Sequence, residues 1–371
     1  MSEAMTPARF RALDVFRGLT IAVMIVVNTM GAGATPFALL QHAPWFGFTV
    51  ADVVFPSFLF AVGNAMSFAM KPGVSERDYL LKVARRTALI FLLGYLMYWF
   101  PFFHRLADGS WAFNPVGETR IMGVLQRIAL CFGIAAVACR YLSWRWLLAL
   151  SLGLLFGYWG ILMAFGQPGA QLTPLGNAAA MLDRAVLGLP HMYAKGHGYD
   201  PEGLLSTMPA IVNVIAGFLA GQYIRWFLKQ EGDKTTLVRR LAGAGLALCA
   251  AGLVWSLAFP LAKRIWTSSF VTLTVGIDLI VIALLIAYVE IWGQGRKRVP
   301  GMRFCEIFGR NPLAIYLFSE LFVVVLQLIR VPPDTGLYDW IGIRVFQTLA
   351  PGPVGTLLCA IAYMLTCWLL A

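Results

Sequence analysis

"TSSFVTLTVGIDLIVIALLIAYVEI", residues 267–291, is a nearly unbroken apolar run whose charged residues are Asp278 and Glu290. Wound as a helix it is about 37 Å long at 1.5 Å per residue, enough to cross roughly 30 Å of hydrocarbon. A barrel strand would instead be short and alternate apolar with polar residues, and an open sheet would leave backbone groups unsatisfied in lipid. The run therefore predicts a membrane-spanning helix. Working outward, comparable runs fall at 12–31, 50–70, 82–100, 121–139, 145–165, 207–228, 238–259, 311–329 and 353–371. The expected fold is all-α: a polytopic membrane protein in which residues 1–371 form a single bundle of about ten transmembrane helices.

Composition agrees. Hydrophobic residues make up 59% of the 371 positions and charged residues 13%, with a mean hydropathy of +0.74, against about one-quarter charged in soluble domains. The net charge of +11 raises the question of a nucleic-acid partner, but its distribution gives a simpler account. With the N-terminus in the cytoplasm, inward segments hold about 20 of the 29 Lys and Arg, among them Lys71, Arg77, Lys82, Arg85, Arg86, Arg239, Arg240, Arg296, Lys297, Arg298 and Arg303. Outward segments hold about eight, which sets an N-in, C-in topology with membrane lipid, not nucleic acid, as the surrounding partner. The start of the chain, with its basic residues, apolar run and Ala32-Gly33-Ala34, imitates a secretory signal. The run is long enough to span, so it is read as the first helix. The six cysteines show no C-x-x-C spacing and read as free packing thiols.

Loops are short except for 166–206, an outward segment containing "HMYAKGHGYDPEGLLST" (191–207). A structureless loop of that length is usually functional or disordered. It reads either as a tether or as a lid whose Tyr199, Asp200, Glu202, Ser206 and Thr207 bind a polyhydroxylated ligand. All four histidines (42, 104, 191 and 197) fall on the outward side, so groups titrating near neutrality are expected only there.

Ionisable residues in or beside membrane spans are costly and become functional candidates. An outer layer gathers Asn28, His42, Asp52, Arg120, Arg127, Lys263, Arg264, Ser268 and Ser269; an inner layer gathers Asp14, Arg17, Asn64, Arg85, Arg86, Arg310 and Asn311. Asp278 and Glu320 lie nearer mid-membrane. Arg127 sits inside its helix and needs a carboxylate partner, for which Asp52 is the first choice; it serves either packing or a ligand. His42 reads equally as an interfacial or capping histidine and as a general base oriented by Asp52, on a sharply turned segment with Pro44, Trp45 and Gly47. No metal is expected, since no His-x-x-x-His or Glu-x-x-His pair is present. A Gly-x-Ser-x-Gly elbow, a P-loop and a dinucleotide fingerprint are also missing.

Five blocks in order, "RALDVFRGLTIAVMIVVNTMG" (11–31), "QHAPWFGFTVADVVFPSFLFAVGNA" (41–65), "GVLQRIALC" (123–131), "YDPEGLLSTMPAIVNVIAG" (199–217) and "RIWTSSF" (264–270), resemble the catalytic region of the heparan-α-glucosaminide N-acetyltransferase family and its bacterial relatives. The resemblance covers nearly the whole chain. It implies a transmembrane acyltransferase that takes acetyl groups from cytosolic acetyl-CoA and delivers them to an amino sugar on the far, periplasmic side of a bacterial inner membrane. The family's active-site histidine, in a block reading H-A-S-W-N-G-L-T-V-A-D, matches His42, and its catalytic asparagine matches Asn28. Two departures are visible: the Asn-to-His interval is about three residues longer, and Phe46 replaces an asparagine. The large luminal N-terminal domain of the animal enzyme has no counterpart in these residues.

The expected catalytic set is therefore His42, Asn28 and Asp52. The donor-binding set is Arg17, Arg85, Arg86 and Arg310, which read equally as topology-setting charges. The acceptor-binding set is Trp45, Arg127, Asp200, Glu202, Arg264, Trp266 and Ser268. His42 would deprotonate the acceptor amine, or carry the acetyl group as an acetyl-histidine. The competing functions are an amino-sugar permease, against which the missing internal repeat stands, and an O-acyltransferase of envelope glycans. A homodimer is implied by resemblance.

Overall fold

The computed structural model describes residues 10–70, 73–106, 108–230, 232–293, 299–332 and 334–371. Of the charges used to orient the chain, Lys71, Arg296, Lys297 and Arg298 lie outside the described residues. Each of the ten apolar runs is helical: α1 (Arg11–Asn28), α2 (Val50–Ala69), α3 (Glu76–Trp99), α4 (Val124–Tyr141), α5 (Trp144–Phe165), α7 (Thr207–Lys229), α8 (Lys234–Trp255), α9 (Ser268–Ile286), α11 (Pro312–Leu328) and a C-terminal helix, Pro353–Leu370. Between them stand α6 (Ala178–Val186) and α10 (Met302–Arg310).

Among the described residues, seven helices are long and apolar enough to cross a membrane by themselves: α2, α4, α5, α7, α8, Ser268–Trp292 and Pro353–Leu370. An eighth span forms if α10 and α11, bent by 86° at their junction, count as one. The difference from ten lies in α1 and α3. These carry Arg11, Asp14 and Arg17, and Lys82, Arg85 and Arg86, among their apolar residues.

Packing explains the sequence of small residues. α2 lies along α7, α8 along α9, α1 along α10 and α3 along α4. Where α2 meets α7, a Cβ on Gly63 would stand 1.8 Å from the Val214 carbonyl oxygen, and one on Gly217 would stand 2.0 Å from that of Phe60. The two backbones approach this closely only because neither position has a side chain, the usual way helices associate where lipid removes the hydrophobic drive.

Helix ends put the polar residues in place. α2 opens with a capping box in which Thr49 and Asp52 satisfy each other's backbone N–H groups. The α10–α11 junction falls at Asn311, ahead of Pro312 in the first turn of α11, where proline's missing N–H costs nothing. The long segment 166–206 is folded, not structureless. Asn177 caps α6 by accepting from the Ala180 N–H at 2.8 Å, and short 3-10 turns follow at Leu189–His191 and Ala194–Gly196. The cysteines at 131, 139, 249, 305, 359 and 367 are unpaired.

Candidate functional site

Two polar centres lie at opposite ends of α1 and α2. The first is built on the loop that leaves α1 and enters α2. Asp52 is fully buried, and its Oδ2 accepts from the backbone N–H of Ala43 (3.2 Å) and Thr49 (3.1 Å), with the Thr49 hydroxyl at 3.0 Å. The capping arrangement thus holds the carboxylate through Oδ2 and leaves Oδ1 for another partner. Its second oxygen, Oδ1, lies 2.8 Å from Nδ1 of His42. The His42 side chain keeps 34% of its surface exposed while that of Asp52 keeps none, so a dry carboxylate orients a partly exposed ring.

Lys263, on the turn Lys263–Ile265 that precedes α9, places Nζ 3.1 Å from both ring nitrogens of His42 and 4.0 Å from Asp52 Oδ1. Burial lowers the His42 pKa below its ordinary 6.5; the Asp52 hydrogen bond opposes this and the Lys263 and Arg264 charges add to it. Burial brings Lys263 itself down to about 8 against the pull of Asp52 and Glu202. Near neutral pH the imidazole is unprotonated, with Nδ1–H donated to Asp52 and the lone pair on Nε2. That is the form of a general base.

Beside it, Arg120 is held by both acids of the segment 166–206. It donates to Asp200 (Nη2–Oδ1 2.6 Å, Nε–Oδ2 3.2 Å) and to Glu202 (2.7 Å) while lying between the rings of Tyr98 and Tyr193. Asp200 also accepts from the N–H groups of Tyr193 and Glu202. Burial would raise Glu202, but Arg120 and Arg127 outweigh it and hold the carboxyl below its ordinary range. The segment 166–206 is therefore clamped onto the bundle through buried charge. Trp45 joins the clamp, its indole N–H donating to the Leu172 carbonyl (2.7 Å) and its ring standing edge-on to Tyr199 at 5.0 Å.

Arg127 corrects an expectation. Its partner is not Asp52: it donates to the Gly203 carbonyl (3.1 Å) and to the Ser206 hydroxyl and lies 4.9 Å over the Trp266 ring, with Nε and Nη1 buried and unpartnered. Asp52 was already saturated by its own cap and His42, so the guanidinium takes the turn at the start of α7 instead. Trp266 and Ser268 are both 0% exposed. The indole donates to Asn213 (3.2 Å) and the hydroxyl to the Leu155 carbonyl (2.7 Å), which makes these two residues framework behind the site, not its lining. Arg264 stands near His42 and Tyr199, and its Nε carries no hydrogen bond. Asn28 donates to Glu320 Oε1 at 3.0 Å across the α1–α11 contact.

The second centre is a cavity of about 500 Å³ lined on α2 from Phe58 to Ala69, on α1 by Arg17, on α3 by Arg86 and on α4 by Ile128 and Phe132, with the α10–α11 break (Arg310 to Ala314) closing it. Three of the four arginines expected to act together meet here. Arg85 is exposed and does not line it. Arg17 is paired with Asp14, and Arg86 lies 4.7 Å over Phe132. At 1.5 Å per residue, Phe58 stands about 9 Å and Ala69 about 25 Å along α2 from Asp52, so the cavity's lining lies along the part of α2 farther from His42 and ends about 9 Å short of Asp52.

Sequence reasoning grouped Lys263 and Arg120 with the outer polar residues but gave them no role. Asp183 escaped it entirely: its Oδ1 accepts from the Leu204 N–H at 2.8 Å, steadying the turn whose carbonyl takes Arg127, and burial lifts its carboxyl to about 7. Spacing along the chain gives no signal for such contacts, which join α6 to α4 through a loop.

Residues 9–183 match the family model for heparan-α-glucosaminide N-acetyltransferase, catalytic. That span includes Asn28, His42, Asp52, Arg86 and Arg127 and ends before Asp200 and Lys263. The heparan-α-glucosaminide N-acetyltransferase of Homo sapiens is 28% identical over 380 aligned residues, covering 85% of this chain and 53% of the relative. That of Mus musculus is 27% identical over 379, covering 84% and 53%. The chain spans about half the length of these curated relatives.

Proposed function

We propose that the chain belongs to the heparan-α-glucosaminide N-acetyltransferase catalytic family, whose model matches residues 9–183, and that it transfers acetyl from cytosolic acetyl-CoA to the amino group of a glucosamine-type sugar across a bacterial inner membrane. In this reading all ten helical runs span, with both termini inside. The observation that carries it is the His42–Asp52 pair: an imidazole oriented through Nδ1 at 2.8 Å by a wholly buried carboxylate, with Nε2 directed away from it.

The donor occupies the cavity at the opposite end. Arg86 and Arg310, with Arg17 beside them, face its phosphates, and the first turn of α11 at the helix break adds backbone N–H groups suited to anions. The apolar stretch between Phe58 and Ile128 takes the pantetheine arm and brings the thioester up toward His42.

An amino sugar arrives partly as ammonium and must lose a proton before its nitrogen can attack. His42 Nε2 accepts the amine proton as the N–C bond forms and the C–S bond breaks, then returns it to the CoA thiolate, so the products are the N-acetyl sugar and the free thiol. Asn28 donates one amide N–H to Glu320. Its second N–H is left for the thioester carbonyl oxygen as charge develops there, a contact worth roughly 3 kcal/mol where such donors have been removed. Arg264, Trp45 and Glu202 flank the acceptor.

The test is turnover of purified protein with isotopically labelled acetyl-CoA and glucosamine. Labelled N-acetylglucosamine from the wild type and none from His42→Ala supports the reading. An O-acetyl product, or glucosamine uptake into vesicles without acetyl-CoA, replaces it with one of the other two functions.

A further inference from the structure

Two bodies of the fold press on the His42 ring. Its own loop with the start of α2 supplies Asp52, and the turn before α9 supplies Lys263 and Arg264. They are tied together, since Gly47 N–H donates to the Leu261 carbonyl at 2.9 Å. The lysine's turn is itself fixed by a Trp266 N–H to Lys263 carbonyl bond (3.0 Å), by the Ala262 N–H on the Thr267 hydroxyl (3.0 Å), and by Trp266 at φ +53°.

Nζ of Lys263 is equidistant, at 3.1 Å, from Nδ1 and Nε2. In the plane of an imidazole, a point that close to both nitrogens would be driven into Cε1. The ammonium must therefore stand over the ring's face, out of line with either nitrogen lone pair. An ion pair with Asp52 is the lesser contact, at 4.0 Å, because that carboxylate is already occupied by His42, Ala43 and Thr49.

We propose that Lys263 is a positioning residue that holds the His42 ring unprotonated from above its face while leaving the in-plane lone pair of Nε2 open to a substrate proton. A cation this close disfavours a second positive charge on the ring, and Arg264 acts in the same sense from further off. Glu202 and Arg127 are the charged groups that face Lys263 in turn. What the open lone pair is used for rests on the acetyl transfer proposed above; the control of its charge does not.

The experiment follows the rate of diethyl pyrocarbonate modification at His42 against pH, read by peptide mass spectrometry on the purified full chain, for wild type, Lys263→Met and Lys263→Arg. The methionine variant should be displaced to higher pH by on the order of one pH unit, while the arginine variant stays near wild type. Acetyl transfer by Lys263→Met should fall near neutral pH and recover in more alkaline buffer. An unmoved modification profile in the methionine variant overturns the proposal, as does a loss of turnover equal at every pH. A displaced profile without acetyl transfer from any form, wild type included, upholds the control of His42 and removes the acetyltransferase reading.

Discussion

Asp52→Asn isolates the chemistry of the site from its architecture. The carboxylate has two separate tasks: Oδ2 gathers the Ala43 and Thr49 N–H groups and Oδ1 faces His42 Nδ1 at 2.8 Å. An asparagine keeps its carbonyl oxygen where two backbone donors converge and turns its NH2 toward the ring. His42 must then accept at Nδ1, so its proton moves to Nε2 and the lone pair needed for the acceptor amine is lost. A tautomer inverted by the same carboxylate-to-amide change costs about 10⁴ in turnover in a serine protease triad, and a loss of that order is expected here. The structural cost is smaller. Converting charge-assisted bonds to neutral ones forfeits about half their strength, on the order of 2 kcal/mol in all. Initial rates of labelled acetyl transfer, with the apparent melting temperature of the same preparation, separate the two effects. A folded Asp52→Asn protein within tenfold of wild-type turnover would refute the assigned tautomer.

Arg120→Gln leaves Asp200 and Glu202 buried without their shared cation, a cost of about 3–5 kcal/mol that should lower the apparent melting temperature markedly; an unchanged melting curve would mean the segment 166–206 is held by something else. Because burial lowers His42 below its ordinary 6.5, the rate of diethyl pyrocarbonate modification at His42 in the wild type should reach half its alkaline plateau below pH 6.5; a midpoint at or above 6.5 contradicts that environment. Arg86→Gln combined with Arg310→Gln should raise the KM for acetyl-CoA several-fold with little change in the saturated rate, whereas Arg85→Gln, outside the cavity, should leave both unchanged.

The helices were legible because hydrophobic run length is a local property, and each of the ten runs is helical. Their number as spans was less so, since charges of α1 and α3 are taken up partly by contacts, within a helix as well as between helices, that a run-by-run reading cannot see. The Asp14–Arg17 pair and the Arg86 guanidinium over Phe132 are two of them. The pairing of His42 with Asp52 could be foreseen because ten residues and a helix cap separate them. The partner of Arg127 could not, because Asp52 is claimed first by its own helix terminus while Ser206 and Gly203 arrive from a loop nearly eighty residues away. Lys263 is the same case at longer range: its contact with His42 depends on how the turn before α9 docks on the first loop, and no spacing encodes that. Three of the four arginines chosen for one inner-face role do meet in one cavity, at the helix break that Pro312 marks in the sequence.

The central claim is that one chain links a donor at one face to an acceptor at the other, and proteoliposomes of uniform orientation test it most directly. Labelled acetyl-CoA is supplied on the side of the Arg86–Arg310 cavity and glucosamine is confined to the side of His42. The account predicts labelled N-acetylglucosamine on the His42 side alone, abolished by His42→Ala. Product formed only when donor and acceptor share one side, or equal turnover by His42→Ala, would contradict it.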